Sequence, residues 1–261
     1  MSAQSGVSEN EMVETVSNGD EDALLVNPST EFLDSFVERL QEEDADNTVR
    51  IGVTDVEFRD FRNDFLATAR LADLVKEGRV ELREIPEATS GGLLFTNGRF
   101  VGLFVSQQGM ILTEPQDLSE QARDTAESIW EDGQELRLRT PPLSEVYGSL
   151  GDSLGEDVAD DFRSVIESIG TFPESPVDTV EIFLLVAARN EELLYDISKW
   201  GEDAGVASKA TFSRTKTKME DKGYIQTEKV PIDIGRPRLR LKLAGGVEDS
   251  IDGIIETVIA G

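Results

Sequence analysis

The chain has 261 residues with 53 acidic and 25 basic side chains, a formal net charge of −28, and a hydrophobic fraction of 38% that can fill one large core or two small ones. It contains neither cysteine nor histidine. Those absences exclude disulfides, thiolate chemistry, zinc–sulfur sites, histidine triads and imidazole bases, and leave carboxylate oxygens as the ordinary metal ligands. An acid excess of this size repels itself in dilute buffer and is screened in concentrated salt, so the sequence reads as that of a halophile with an acidic surface.

Residues 1–20, MSAQSGVSENEMVETVSNGD, are polar, lack the apolar core of a signal peptide and are expected to be a flexible N-terminus. The longest wholly apolar run, IFLLVAA at 182–188, is far below the roughly 18 residues that suggest a membrane span. A soluble cytoplasmic protein is therefore expected. From residue 21 short apolar runs alternate with longer periodic stretches: ALLV at 23–26, STEFLDSFVERLQ at 29–41, TVRIGV at 48–53, a helix within 58–78 and a strand in RVELREI at 79–85. This alternation predicts an α/β sheet layer. Between 90 and 113, Asn97–Gly98 separates two alternating apolar runs, the signal of a hairpin, with a third strand expected at 108–113. A helix is expected over 117–136 with Trp130 on its buried side, and a second acidic helix near 156–169. GSLGDSLGED at 148–157 reads as a loop made by local duplication, and GTFPESPVDT at 170–179 as a domain boundary. The α/β domain is thus expected at 21–172.

Beyond that boundary the charge reverses: residues 208–243 hold ten basic and four acidic side chains, a local charge of +6 in a chain whose remainder carries −34. DTVEIFLLVAARNEE predicts a first helix, ELLYDISKWGEDAG at 192–205 a second, and SKATFSRTKTKMEDKG a third, capped by Ser208 and stopped by Gly223. At 100° per residue Ser208, Phe212, Thr215 and Met219 share one face of this third helix. Thr211, Ser213, Arg214, Thr217 and Lys218 lie off it, presenting hydroxyls and cations suited to base edges and phosphates, and Lys209 and Lys216 stand at the edges. The strand at 224–230 and LRLKL at 239–243 then form a hairpin whose Arg236 and Arg238, around Pro237, suit a narrow minor groove or phosphates. A basic helix face alone is most often a solvated face. Three helices, a turn and a basic hairpin in this order across 177–243 instead predict a winged helix-turn-helix domain that binds double-stranded DNA.

SKATFSRTKTKMEDKGYI and GRPRLRLKL resemble the recognition helix and wing of archaeal and bacterial winged-helix regulators. The whole layout, an α/β region followed by this module in an acidic chain, resembles the transcriptional regulator TbsP family of halophilic archaea. That resemblance implies a sensor or dimerisation role for residues 20–170, with a degenerate phospholipase-D-like layer as one form it could take. Such a layer would be non-catalytic, because that enzyme class needs histidine. It also implies that Thr211, Ser213, Arg214 and Lys218 approach the major groove, and Arg236 and Arg238 the flanking minor groove or backbone. Lys216 departs from the pattern, standing where such helices place an apolar core residue; its stem can snorkel over the core edge.

No phosphate-binding glycine loop surrounds Gly91 and Gly92, and paired acids such as Asp152 and Glu156, or Asp157, Asp160 and Asp161, are expected by chance in so acidic a chain. No catalytic residue, metal site or cofactor is expected. The C-terminal segment 244–261 carries apolar residues at helical spacing and either caps its own domain or pairs with a second copy in a homodimer. The function expected is a sequence-specific transcription regulator, a repressor of metabolic genes, with a small-molecule effector on the first domain. The alternative is a non-enzymatic adaptor that uses the same fold to hold an acidic protein.

Overall fold

The computed structural model describes Val16 and residues 22–42, 47–86, 92–96, 99–103, 116–169, 178–232 and 237–260. The chain divides into two compact units, Met1–Leu138 and Arg139–Gly261.

The first unit is a mixed sheet covered on both faces. Strands β1 (Ala23–Val26), β2 (Val49–Val53) and β3 (Val80–Glu84) are parallel neighbours. β4 (Gly92–Thr96) runs antiparallel beside β1, and β5 (Arg99–Leu103) antiparallel beside β4. Parallel pairing requires crossovers, supplied by α1 (Thr30–Glu42) and by α2 (Asp55–Asn63) with α3 (Phe65–Lys76). β1 is buried at all four positions because alternate residues enter different cores. Ala23 and Leu25 join Phe32, Phe36, Ile51, Phe58, Phe61 and Leu71. Leu24 and Val26 join Phe95 and Trp130, the latter on α4 (Gln116–Glu131).

Three expectations change here. The helix predicted within 58–78 is two helices, because Asp64 takes a non-helical conformation and its carboxylate caps α3, accepting from the Ala67 amide at 3.1 Å. The helix predicted over 117–136 ends at Glu131. Gln134–Glu135, β6, instead pairs antiparallel with β3, which completes the order β5-β4-β1-β2-β3-β6. Gly133 permits this, since a Cβ there would meet the Ile85 side chain at 3.0 Å and two backbone oxygens at 3.1 and 3.2 Å. Within the stretch expected to be flexible, Val16 is fully buried in the larger core. β4 and β5 pair as a hairpin, whereas Asn97–Gly98 and the strand expected at 108–113 lie outside the described residues.

The second unit is built on helices α5 (Leu143–Leu154), α6 (Glu156–Ile169), α7 (Thr179–Arg189), α8 (Leu194–Asp203), α9 (Lys209–Asp221) and α10 (Ile251–Ala260). Strands β7 (Ile225–Val230) and β8 (Arg238–Leu243) pair antiparallel between α9 and α10. The loop expected at 148–157 is largely helix: Leu143, Val146 and Leu150 make a buried stripe that overrides the glycines and serines between them. Of the boundary expected at 170–179, residues 170–177 lie outside the described residues; the two compact units divide between Leu138 and Arg139. Packing explains this division. Phe162 of α6 stacks on Phe183 of α7 at 4.1 Å, Phe183 meets Trp200 of α8 edge-on at 4.8 Å, and Trp200 Nε1 donates to Ser149 Oγ of α5. α10 buries Ile254, Ile255 and Val258 and packs on α6 and α7 within the same unit.

Candidate nucleic-acid interface

α8 and α9 are joined by a tight turn. Gly205 sits at φ +76°, the Val206 amide donates to the Gly201 carbonyl at 2.8 Å, and the Gly205 amide donates to Glu202 at 3.2 Å, a Schellman closure. Ser208 then caps α9, its hydroxyl accepting from the Thr211 amide at 3.1 Å. Ser208 itself is exposed, as a cap should be, while Phe212, Thr215 and Met219 are buried. Gly223, at φ +75°, closes α9 with the same pair of bonds, from Tyr224 to Met219 and from Gly223 to Glu220. β8 is tied back to the start of α8 by a bridge between Leu193 and Arg240 and by the Leu241 amide donating to the Glu192 carbonyl at 2.8 Å.

The outer face of α9 carries Ser213, Arg214, Thr217 and Lys218, all exposed, with Thr211 partly covered. Thr217 donates to the Ser213 carbonyl, and Thr211 shares a hydrogen bond with Ser208. Arg214 bonds within its helix, Nε to the Ala210 carbonyl at 3.3 Å and a terminal nitrogen to Thr211 at 3.4 Å, and among the described residues it meets no carboxylate. The other cations of α9 are ion-paired. Lys218 Nζ lies 2.8 Å from Glu181 and Lys209 Nζ 2.6 Å from Glu202. The hydrogen bond that each ammonium donates to its carboxylate holds it above the usual lysine range.

Lys216, expected at a groove edge, turns toward β7. Its side chain is 12% exposed and its Nζ lies 2.7 Å from Glu220, which also accepts from Thr227. Burial works against the Glu220 charge, but these two hydrogen bonds outweigh it and hold its pKa below the usual carboxylate range. Arg238 stands at the loop end of the β7–β8 ladder, opposite Val230, its guanidinium 4.1 Å from the Tyr195 ring and 3.4 Å from Asp196. Arg236 lies outside the described residues. Seven of the nine residues singled out are therefore on or beside one surface, Lys216 is withdrawn from it, and Arg236 is not described.

Tyr195 is not among the residues singled out from the sequence. On the helical wheel it stands about 160° from Ile197, so an aromatic ring off the apolar stripe was the available signal. Among the described residues no group of three or more acidic side chains could hold a metal ion, and no helix is long and apolar enough to cross a membrane.

Three helices with a tight turn between the second and third, followed by a two-stranded wing, define a winged helix-turn-helix domain. The family described as the N-terminal part of the TbsP-like transcriptional regulators matches residues 4–141, and the one described as their C-terminal HTH domain matches residues 142–258. The chain belongs to the TbsP-like transcriptional regulators. Their shared boundary agrees with the division after Leu138. No curated protein matches. Among solved structures the chain is similar to TrmBL2, described as an archaeal chromatin protein with a novel mode of DNA binding, at 13% identity and a TM-score of 0.34 over 49% of this chain and 50% of that one. The chain thus spans about half the length of that protein.

Proposed function

We propose that this protein is a sequence-specific DNA-binding regulator, a repressor of metabolic genes, that presents the outer face of α9 to the major groove. The observation that carries this reading is the exposed Arg214. It is a guanidinium with no carboxylate partner among the described residues, on the solvent side of a capped helix, in a chain whose acids outnumber its bases two to one. Such a group is suited to the two acceptors of guanine or to phosphate. Ser213, Thr217, Thr211 and Lys218 flank it, while Lys209, Arg236 and Arg238 would fix the register on the backbone. The first unit serves as the sensor or dimerisation part and receives a small-molecule effector, and a homodimer reads a two-fold operator. The acidic body belongs to a halophilic cytoplasm, where dissolved cations screen its repulsion from DNA.

The test is a fluorescence-anisotropy titration of labelled genomic fragments in about 2 M KCl. Saturable binding to a subset of fragments, weakened at least about tenfold by Arg214→Ala, is the expected result. Absence of binding by the folded wild type would overturn the reading and favour an acidic protein as partner.

A further inference from the structure

The wing meets α8 and α9 around an open cleft of about 360 Å³, with Tyr195, Ile232 and Pro237 on its apolar side and Lys209, Arg238 and Ser213 at its polar edge. Among the described residues the large exposed hydrophobics are Val56, Tyr195 and Ile232. The two that belong to the second unit, 47% and 40% exposed, both line this cleft. Two large, partly exposed apolar side chains beside one cleft make a patch that a partner can cover with gain. Their placement beside Ser213, at the border of the outer face of α9, says which partner.

Resting on the regulator reading above, we infer that this cleft seats the sugar–phosphate backbone of duplex DNA at the edge of the groove that α9 enters. A deoxyribose presents C–H groups that suit Tyr195, Ile232 and Pro237, while the phosphates on either side of it need cations. Lys209 and Arg238 provide them. Both cations are held by carboxylates, Glu202 and Asp196, whose charges repel a phosphate. The electrostatic attraction at this edge is therefore weak, and the apolar contact supplies the attraction that ion pairing does not. The Tyr195 ring is also held in place, because the Arg238 guanidinium covers it at 4.1 Å, so little side-chain freedom remains to be lost on docking.

An apolar seat has a signature that a phosphate contact lacks. Removing a phosphate-contacting cation lowers the slope of log affinity against log salt by about 0.9, whereas removing an apolar side chain shifts the whole line without tilting it. The experiment titrates labelled genomic DNA fragments with full-length wild type, Tyr195→Ala, Tyr195→Phe, Ile232→Ala and Arg238→Ala at several KCl concentrations, each variant checked by thermal denaturation. Expected are a loss of about tenfold for Tyr195→Ala and a smaller loss for Ile232→Ala, both at unchanged slope. Tyr195→Phe retains affinity, and Arg238→Ala shows a reduced slope. Ile232 makes no ion pair, so its variant carries the test should Tyr195→Ala disturb the wing. If both alanine variants bind as the wild type does, the seat is overturned and the regulator reading stands. If the wild type binds no fragment, both fall.

Discussion

Gly201 shows how one absent methyl sets the geometry of the interface. It lies inside α8 where a Cβ would come within 2.4 Å of two ring atoms of Phe212, a side chain with no exposed surface. Alanine would gain about 1 kcal/mol of helix propensity over glycine. An overlap this deep with a buried ring, however, falls at the upper end of the roughly 1–3 kcal/mol that overpacking costs. Gly201→Ala should therefore destabilise the protein by about 1–2 kcal/mol and weaken DNA binding, because Phe212 anchors α9. Thermal denaturation with a parallel DNA titration measures both, and a variant at least as stable as the wild type would show that α8 and α9 can separate freely. Glu191 is the opposite case. It occupies the left-handed position after α7, at φ +53°, where glycine is usual, and it faces Arg240 at 3.8 Å and Lys242 at 3.6 Å. Its side chain thus does what glycine could not, linking the α7–α8 turn to the wing.

At the scale of elements, α9 is a basic helix whose charge is largely matched by its neighbours. Glu181, on α7, is 7% exposed and holds Lys218, while Glu202, on α8, holds Lys209. Phosphates must compete with both carboxylates. Replacing either by glutamine keeps a hydrogen-bond acceptor and removes the charge, so Glu181→Gln and Glu202→Gln should each raise DNA affinity about threefold, for specific and unrelated fragments alike. The gain should shrink as KCl screens the pair. Unchanged affinity at low salt would mean that these carboxylates do not restrain the cations. The inner face of α9 was legible because Phe212, Thr215 and Met219 recur at helical spacing between a serine cap and a glycine stop, and Leu239, Leu241 and Leu243 alternate in β8. The partners of the cations were not legible, since Glu181 lies 37 residues from Lys218 and meets it only through packing. The same limit applies to Lys216: the wheel placed it at an edge but could not show that Glu220 and the wing strand would draw it inward.

At the scale of the molecule, the division after Leu138 matters because composition pointed elsewhere. Proline, glycine and serine at 170–179 suggest a boundary from composition, but a segment is a domain boundary only where few contacts cross it. Here Phe162 stacks on Phe183 from the other side, Asp161 accepts from Arg189 and from Asn190, and Ser149 accepts from Trp200. α5 and α6 are therefore part of the DNA-binding unit's core. A fragment spanning Arg139–Gly261 should unfold in one cooperative thermal transition and bind the same DNA fragments as the full chain, though with an altered affinity if the first unit provides the dimer contact. A fragment beginning at Val177 keeps every element of the winged helix but bares Phe183 and Trp200, each side chain contributing about 1.5–3 kcal/mol when buried. It also loses α6, one of the two helices against which α10 packs. Set against the 5–15 kcal/mol of a whole domain, that loss should leave it without a cooperative transition and with dye-accessible apolar surface. Circular dichroism melts of both fragments in about 2 M KCl decide the matter. A cooperative transition in the shorter fragment, at the temperature of the longer one, would return α5 and α6 to the role of a linker.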